Sequence, residues 1–348
     1  MRRMLSLAIT IPVAALIIVA IVYVVGFRKT LDAVRQAGPM AFAGVGALTA
    51  IFLVLQSAAW AALNRPIHHR VRFHTLLGAV VVGLAGNILT PSTFLGGEPL
   101  KVVYVGRTAH LPYHEVAGSV VLSKYLEAIS FIFFFSFSTI VAAVSYRDVL
   151  FGPLFALGVL ILVLGAVSLA FCAVLWLSLS RRWHPLAALV GWLARLPLLT
   201  GYFAGLRERA AKMEDQVSRV FCEEAAAART AFVALFVGHV TVFLKPAAFF
   251  HLGARLDMGL GELCLIFVVG QALLAFQLTP AGAGTLDGGL IGTFALVGLS
   301  EAQAMAFLLC LRFWDAAVVG GGTILATRVG AHLISGRGPH EEEPPPRP

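Results

Sequence analysis

Long apolar runs, separated by shorter polar stretches, set the pattern of this chain. A helix needs about 20 apolar residues to cross a hydrocarbon core. On that measure the runs predict spans over 5–26, 39–63, 116–146, 151–180, 229–253 and 302–327. Two further apolar stretches, 75–90 and 260–279, are shorter, and each ends in Leu-Thr-Pro: Leu89-Thr90-Pro91 and Leu278-Thr279-Pro280. A glycine-rich segment follows each of them, 91–110 and 281–299. A polar, amphipathic segment fills 181–228. Residues 331–348 are too polar and proline-rich to pack, which predicts a disordered tail. The run 5–26 follows two arginines without a small-residue cleavage site, so it reads as a retained span rather than a signal peptide.

The two Leu-Thr-Pro sites belong to an internal repeat. Each proline is followed seven residues later by an acid, Glu98 in the first copy and Asp287 in the second. Gly96 and Gly97 precede the first acid, and Gly282 and Gly284 precede the second. The next span carries Lys124 and Glu127 in the first copy, Arg312 and Asp315 in the second. Both are a cation followed by an acid at i+3, a spacing that places the two on one helix face. The acid-to-cation separations are 26 and 25 residues, and one offset of about 189 residues relates all of these features. Proline ends a helix by removing a donor and crowding the preceding turn. The backbone groups so freed must face protein or a water-filled cavity, never lipid tails. Each Pro/Gly/acid segment therefore predicts a re-entrant loop lining a polar cavity.

Composition narrows the class. Of 348 residues, 59% are hydrophobic and 13% charged, against about 25% charged in an ordinary soluble domain, and mean hydropathy is +0.88. A soluble globule, a disordered chain and a disulfide scaffold are excluded. The fold class is all-α: a polytopic transmembrane helical protein with two inverted repeats, each containing a Pro/Gly-broken re-entrant segment. One integral membrane domain is expected over 1–330, with repeat halves at about 64–146 and 254–327 and a cytoplasmic basic loop at 181–228. With the N-terminus in the cytoplasm and both glycine-rich segments turning back, the cytoplasmic segments hold 17 Lys/Arg and the outer loops 5. That bias supports both termini in the cytoplasm of a multi-pass protein of the bacterial-type plasma (inner) membrane. The same rule accounts for the net charge of +8 without nucleic acid.

Charges at membrane depth are costly, about 2.5–3.5 kcal/mol each on insertion scales, so they are paired or functional. Glu98, Lys101, Lys124, Glu127, Asp287, Arg312 and Asp315 all fall in the repeats. Lys101, Lys124 and Arg312 suit a phosphate or other polar head group, and Thr90, Ser92, Thr93, Thr279 and Thr285 offer hydrogen bonds. For the pairs Lys124–Glu127 and Arg312–Asp315, a purely structural role stands equally open.

These residues resemble the lysylphosphatidylglycerol synthase transmembrane-region family, also called flippase-like or UPF0104 proteins. Asn87, Pro91, Gly96, Gly97, Glu98 and Lys101 are similar to its N-x-x-x-P…G-G-[DE]-x-x-[RK] loop. Pro280, Gly282, Gly284 and Asp287 are similar to its P-x-G-x-G-x-x-E loop, with Asp in place of Glu. Lys124 stands where the family has a basic residue, whereas Ser123 replaces an acid often found before it. The likeness runs from about 5 to 327 and implies movement of a polar lipid head group across the bilayer. Some members carry a soluble aminoacyl transferase domain after the membrane part. About 20 residues follow the last span here, so that chemistry is not expected.

The expected partners are membrane lipids: a phospholipid, glycolipid or polyisoprenoid, with a lipid-biosynthetic enzyme as a further partner. Two alternatives stand beside lipid translocation: a secondary transporter of a soluble charged solute, and a non-transporting subunit of a lipid-modifying pathway. No catalytic set, cofactor or metal site is expected. His68, His69 and His74 read as a solvated loop. Cys172, Cys222, Cys264 and Cys310 read as packing residues. His239 and Lys245 in the sixth span line the cavity from a third side or, as the favoured reading, Lys245 snorkels to the outer interface, with a kink at Pro246. Five phenylalanines within 131–137 read as helix packing or lipid contact. Gly320-Gly321-Gly322 reads as a close helix approach.

Overall fold

A computed structural model describes residues 27–63, 70–90, 96–150, 152–181, 188, 190–192, 208, 211, 224–275, 282 and 284–334. The described residues form helices joined by short turns, with no strand among them. In chain order these are α1 Phe27–Leu63, α2 Phe73–Leu89, α3 Glu98–Thr108, α4 Tyr113–Ser145, α5 Arg147–Leu150 and α6 Phe155–Arg181. After the basic segment come α7 Ala225–Phe243, α8 Lys245–Ala254, α9 Leu260–Ala275, α10 Thr285–Leu296 and α11 Glu301–Ile334. Four stretches are long and apolar enough to cross a membrane: Leu31–Leu63, Tyr113–Ser145, Ala225–Phe243 and Glu301–Val329. Phe73–Leu89, Gly158–Phe171, Leu260–Leu274 and Thr285–Leu296 are shorter apolar helices. The chain is an all-α, multi-pass integral membrane protein.

Several expected boundaries shift for identifiable reasons. Helix α1 begins well before the apolar run at 39, because 28–35 is charged yet still helical, and it kinks at Gly38-Pro39. The expected span 229–253 is broken at Leu244, just before Pro246, into α7 and α8. The last helix continues to Ile334, past the expected span end at 327. The run 5–26, most of 181–228, His68, His69 and the tail beyond 334 lie outside the described residues.

Outer and inner faces follow helical periodicity. On α4, Phe133, Phe137, Ile140 and Val144 are exposed, the last at 74%. They form an apolar stripe suited to lipid rather than water. Phe134 and Phe135 from the same phenylalanine run turn inward and are buried. Phe134 meets Phe267 edge-to-face at 5.0 Å and Phe243 at 5.4 Å. Lipid tails are as apolar as leucine, so such interdigitation rather than burial alone holds helices together in a bilayer.

The packing has a repeated plan. Helix α2 packs on α3 and α3 on α4; in the second half, α9 packs on α10 and α10 on α11. The halves also exchange partners, since α2 lies along α11 and α9 along α4. At the first crossing Gly322 abuts Ala85 and Val81. Helix α1 runs along both α7 and α8. The interior of the molecule is thus bounded by α4, α11 and the α7–α8 break.

Candidate functional site

In the first half, the turn before α3 is clamped to α2. The Gly97 amide donates to Asn87 Oδ1 at 2.7 Å. A Cβ on Gly97 would fall onto the Gly83 carbonyl oxygen, so no larger residue fits. Replacing Gly97 by alanine is therefore expected to cost about 1–3 kcal/mol as an overpacked contact. Unfolding in detergent micelles measures that loss, and an unchanged midpoint would contradict the clamp. Thr90 turns its hydroxyl back to the Gly86 carbonyl at 2.8 Å, at the end of α2.

The clamp places Glu98 at the first position of α3, where it is 9% exposed. Its carboxylate meets Lys101 Nζ at 3.0 Å and Lys124 Nζ at 3.2 Å. Lys124 also holds Glu127 at 2.9 Å. Gln56 of α1 donates to the other Glu127 oxygen at 3.3 Å. Lys101, Glu98, Lys124 and Glu127 thus form one chain of ion pairs with no net charge.

The second half builds the same device with different detail. Gly284 has φ +91°, a backbone region that glycine enters without a Cβ penalty. Its amide donates to Asp287 Oδ2 at 3.0 Å, so the carboxylate caps its own helix. Asp287 is 2% exposed, and its other oxygen accepts from Arg312 Nη2 at 2.7 Å. Arg312 Nη1 reaches Asp315 at 3.4 Å. Thr285 donates to the Gly282 carbonyl at 3.4 Å. Both i+3 pairs read from the sequence are ion pairs, and in each half the cation also binds the acid of the glycine segment. Pro91, Ser92, Thr93, Thr279 and Pro280 lie outside the described residues.

One cavity of about 340 Å³ joins the halves. Lys124 and Glu127 of α4 line it, as do Asp287 of α10 and Arg312 and Asp315 of α11. Asn87 also borders it, and Phe267, Leu290 and Phe307 are among its apolar walls. Glu98 and Lys101 are not on this wall. They stand behind Lys124, where Lys101 borders a separate void of about 10 Å³ with Gln56 and Trp60.

Two residues that the sequence leaves undecided complete the wall. His239 and Lys245 both line the cavity, so Lys245 faces inward rather than snorkelling out. The break at Leu244 starts α8 at Lys245 and re-aims it. A charge inside an apolar run, the mark that also singles out Lys124 and Arg312, is the available signal, here with Pro246 beside it. Gln56, Gln271 and Trp314 carry no such mark. Gln56 meets Glu127, Gln271 borders the cavity, and Trp314 borders it while its indole N–H donates to the Phe42 carbonyl at 2.9 Å.

A family model described as the lysylphosphatidylglycerol synthase TM region matches residues 3–320. A UPF0104 membrane protein of Methanothermobacter thermautotrophicus is 24% identical over 334 residues, covering 91% of this chain and 94% of its own. A second from the same organism is 24% identical over 305 residues, covering 84% of each. The UPF0104 membrane protein PH1989 of Pyrococcus horikoshii is 21% identical over 294 residues, covering 80% of this chain and 84% of its own. No solved structure matches the chain.

Proposed function

The chain belongs to the lysylphosphatidylglycerol synthase transmembrane-region family, and on that premise we propose that it translocates a lipid with a polar or charged head group across the membrane. The observation that carries this reading is the shared cavity, whose wall carries charged residues from each half together with apolar side chains. The head group occupies the cavity while the tails stay in the bilayer. The repeat is inverted in this reading, as in many transporters, so the cavity lies near the midplane. Helix α3 has 11 residues and α10 has 12. At 1.5 Å per residue they reach about 16–18 Å, short of the roughly 30 Å hydrocarbon core. That length supports segments that enter and turn back.

The 17-to-5 distribution of Lys/Arg supports cytoplasmic termini. The chain acts as a transporter rather than an enzyme in this reading, since the cluster side chains are engaged with one another as fixed ion pairs. The test is lipid movement in proteoliposomes carrying head-group-labelled lipids, with quencher added outside. Loss of the inner-leaflet signal, relative to protein-free vesicles, is expected. Persistence of that signal for every lipid class, with uptake of a soluble ion instead, would overturn the proposal.

A further inference from the structure

The cations that the sequence assigns to a head group are already answered by carboxylates. Lys101 meets Glu98, Lys124 meets Glu98 and Glu127, and Arg312 meets Asp287 and Asp315. Opening a buried pair strands an uncompensated charge and is strongly unfavourable. Those groups are poorly placed to take a new anion.

Lys245 is different. It lines the same cavity and makes no ion pair among the described residues. Asp315, on the same wall, acts on it through space without a close contact. A second open valence stands six residues earlier in sequence. His239 is 8% exposed, lies on the cavity wall, and its Nε2 has no hydrogen-bond partner among the described residues. Unpaired polar groups at membrane depth are costly, and they mark a substrate path more often than a scaffold.

We infer that Lys245 and His239 form an anion subsite of the cavity that takes a phosphate ester. An ammonium is a compact point charge with three donors, suited to the oxygens of a phosphate. His239 Nε2 supplies the second polar contact, to a phosphate oxygen or to a head-group hydroxyl. Across the wall, Asp315 keeps a 38% exposed side chain and the longest contact in its cluster, 3.4 Å. It offers the counterpole for a cationic or hydroxyl group on the same ligand. The two ion-pair clusters then act as fixed walls rather than as the head-group cradle.

The subsite rests on the lipid reading of the cavity, yet a soluble phosphate ester shares its chemistry, so the test separates the two. The purified full chain in detergent is titrated with short-chain phosphatidylglycerol, with the phosphate-free diacylglycerol of the same chain length, and with glycerol phosphate. Tryptophan fluorescence reports occupancy, because Trp314 is on the wall. Wild type is expected to bind the phospholipid about tenfold or more tighter than the diacylglycerol, the value of one charge-assisted hydrogen bond. Lys245→Gln removes that difference without weakening the diacylglycerol, and Lys245→Arg keeps it. Lys245→Gln is also expected to melt close to wild type, since no close ion pair is broken, so lost binding is not lost folding. Equal binding of both lipids by wild type with no binding of glycerol phosphate, or undiminished phospholipid preference in Lys245→Gln, overturns the subsite. Glycerol phosphate bound through Lys245, with no phospholipid preference and no lipid movement in vesicles, keeps the subsite and overturns the lipid reading.

Discussion

Replacing Lys124 by methionine is expected to destabilise the protein by about 3–5 kcal/mol, the range for removing one partner of a buried ion pair. Lys124 is the cation that holds two carboxylates at once, Glu98 at 3.2 Å and Glu127 at 2.9 Å. Without it, among the described residues, Glu127 keeps the hydrogen bond from Gln56 and Glu98 keeps its ion pair with Lys101. The loss extends beyond the pair, because Glu98 opens α3 and Lys124 sits on α4. Adding Glu127→Gln to the variant removes the stranded charge and is expected to restore part of the stability, the signature of coupled sites. Unfolding in detergent micelles reads both effects. A Lys124→Met protein within about 1 kcal/mol of wild type, inside the range of an exposed surface pair, would contradict a buried cluster.

The second large effect is on transport. Gly270 of α9 lines the cavity. A Cβ built there meets only Leu290 Cδ2, at 3.5 Å, an ordinary contact. Phenylalanine at this position therefore has room for its first carbon and projects a ring against the cavity wall. Gly270→Phe is expected to slow lipid movement by about tenfold or more, equivalent to at least 1.4 kcal/mol of lost access. The unfolding cost is held to about 1–3 kcal/mol by the open setting. Movement at the wild-type rate, in a folded variant, would place the lipid path elsewhere. Contrast with Lys124→Met matters here: one change attacks the scaffold and the other the space.

The parts of this architecture that depend on local spacing were legible in the sequence. A cation and an acid at i+3 share a face wherever the helix goes, so Lys124–Glu127 and Arg312–Asp315 needed no tertiary information. Repetition also marked Glu98 and Asp287, and the structure joins each to the cation 26 or 25 residues on. What the spacing left open was which charges face the void. Glu98 and Lys101 stand behind Lys124 rather than on the wall, a matter of how α3 docks on α2 through Gly97 and Gly83. Lys245 turned inward because α7 stops at Phe243, and no rule of hydropathy foretells the azimuth of a helix restarted after a break. Partners drawn from distant helices, such as Gln56 with Glu127 and Trp60 with Ser119, leave no periodic trace at all. The phenylalanine run was ambiguous for a related reason. Helical periodicity splits it, with Phe134 and Phe135 inward and Phe133 and Phe137 outward, but only packing says which half meets protein.

On the proposed function, a lipid head group enters the cavity that both ion-pair clusters border. The most direct measurement uses a phospholipid with a photoreactive group on its head group, reconstituted with the full chain, irradiated, and mapped by peptide mass spectrometry. Adducts are expected on the wall residues Phe267, Leu290 and Trp314, with their loss in Gly270→Phe. Adducts confined to the lipid-facing stripe of Phe133, Phe137 and Val144, unchanged by Gly270→Phe, would contradict it.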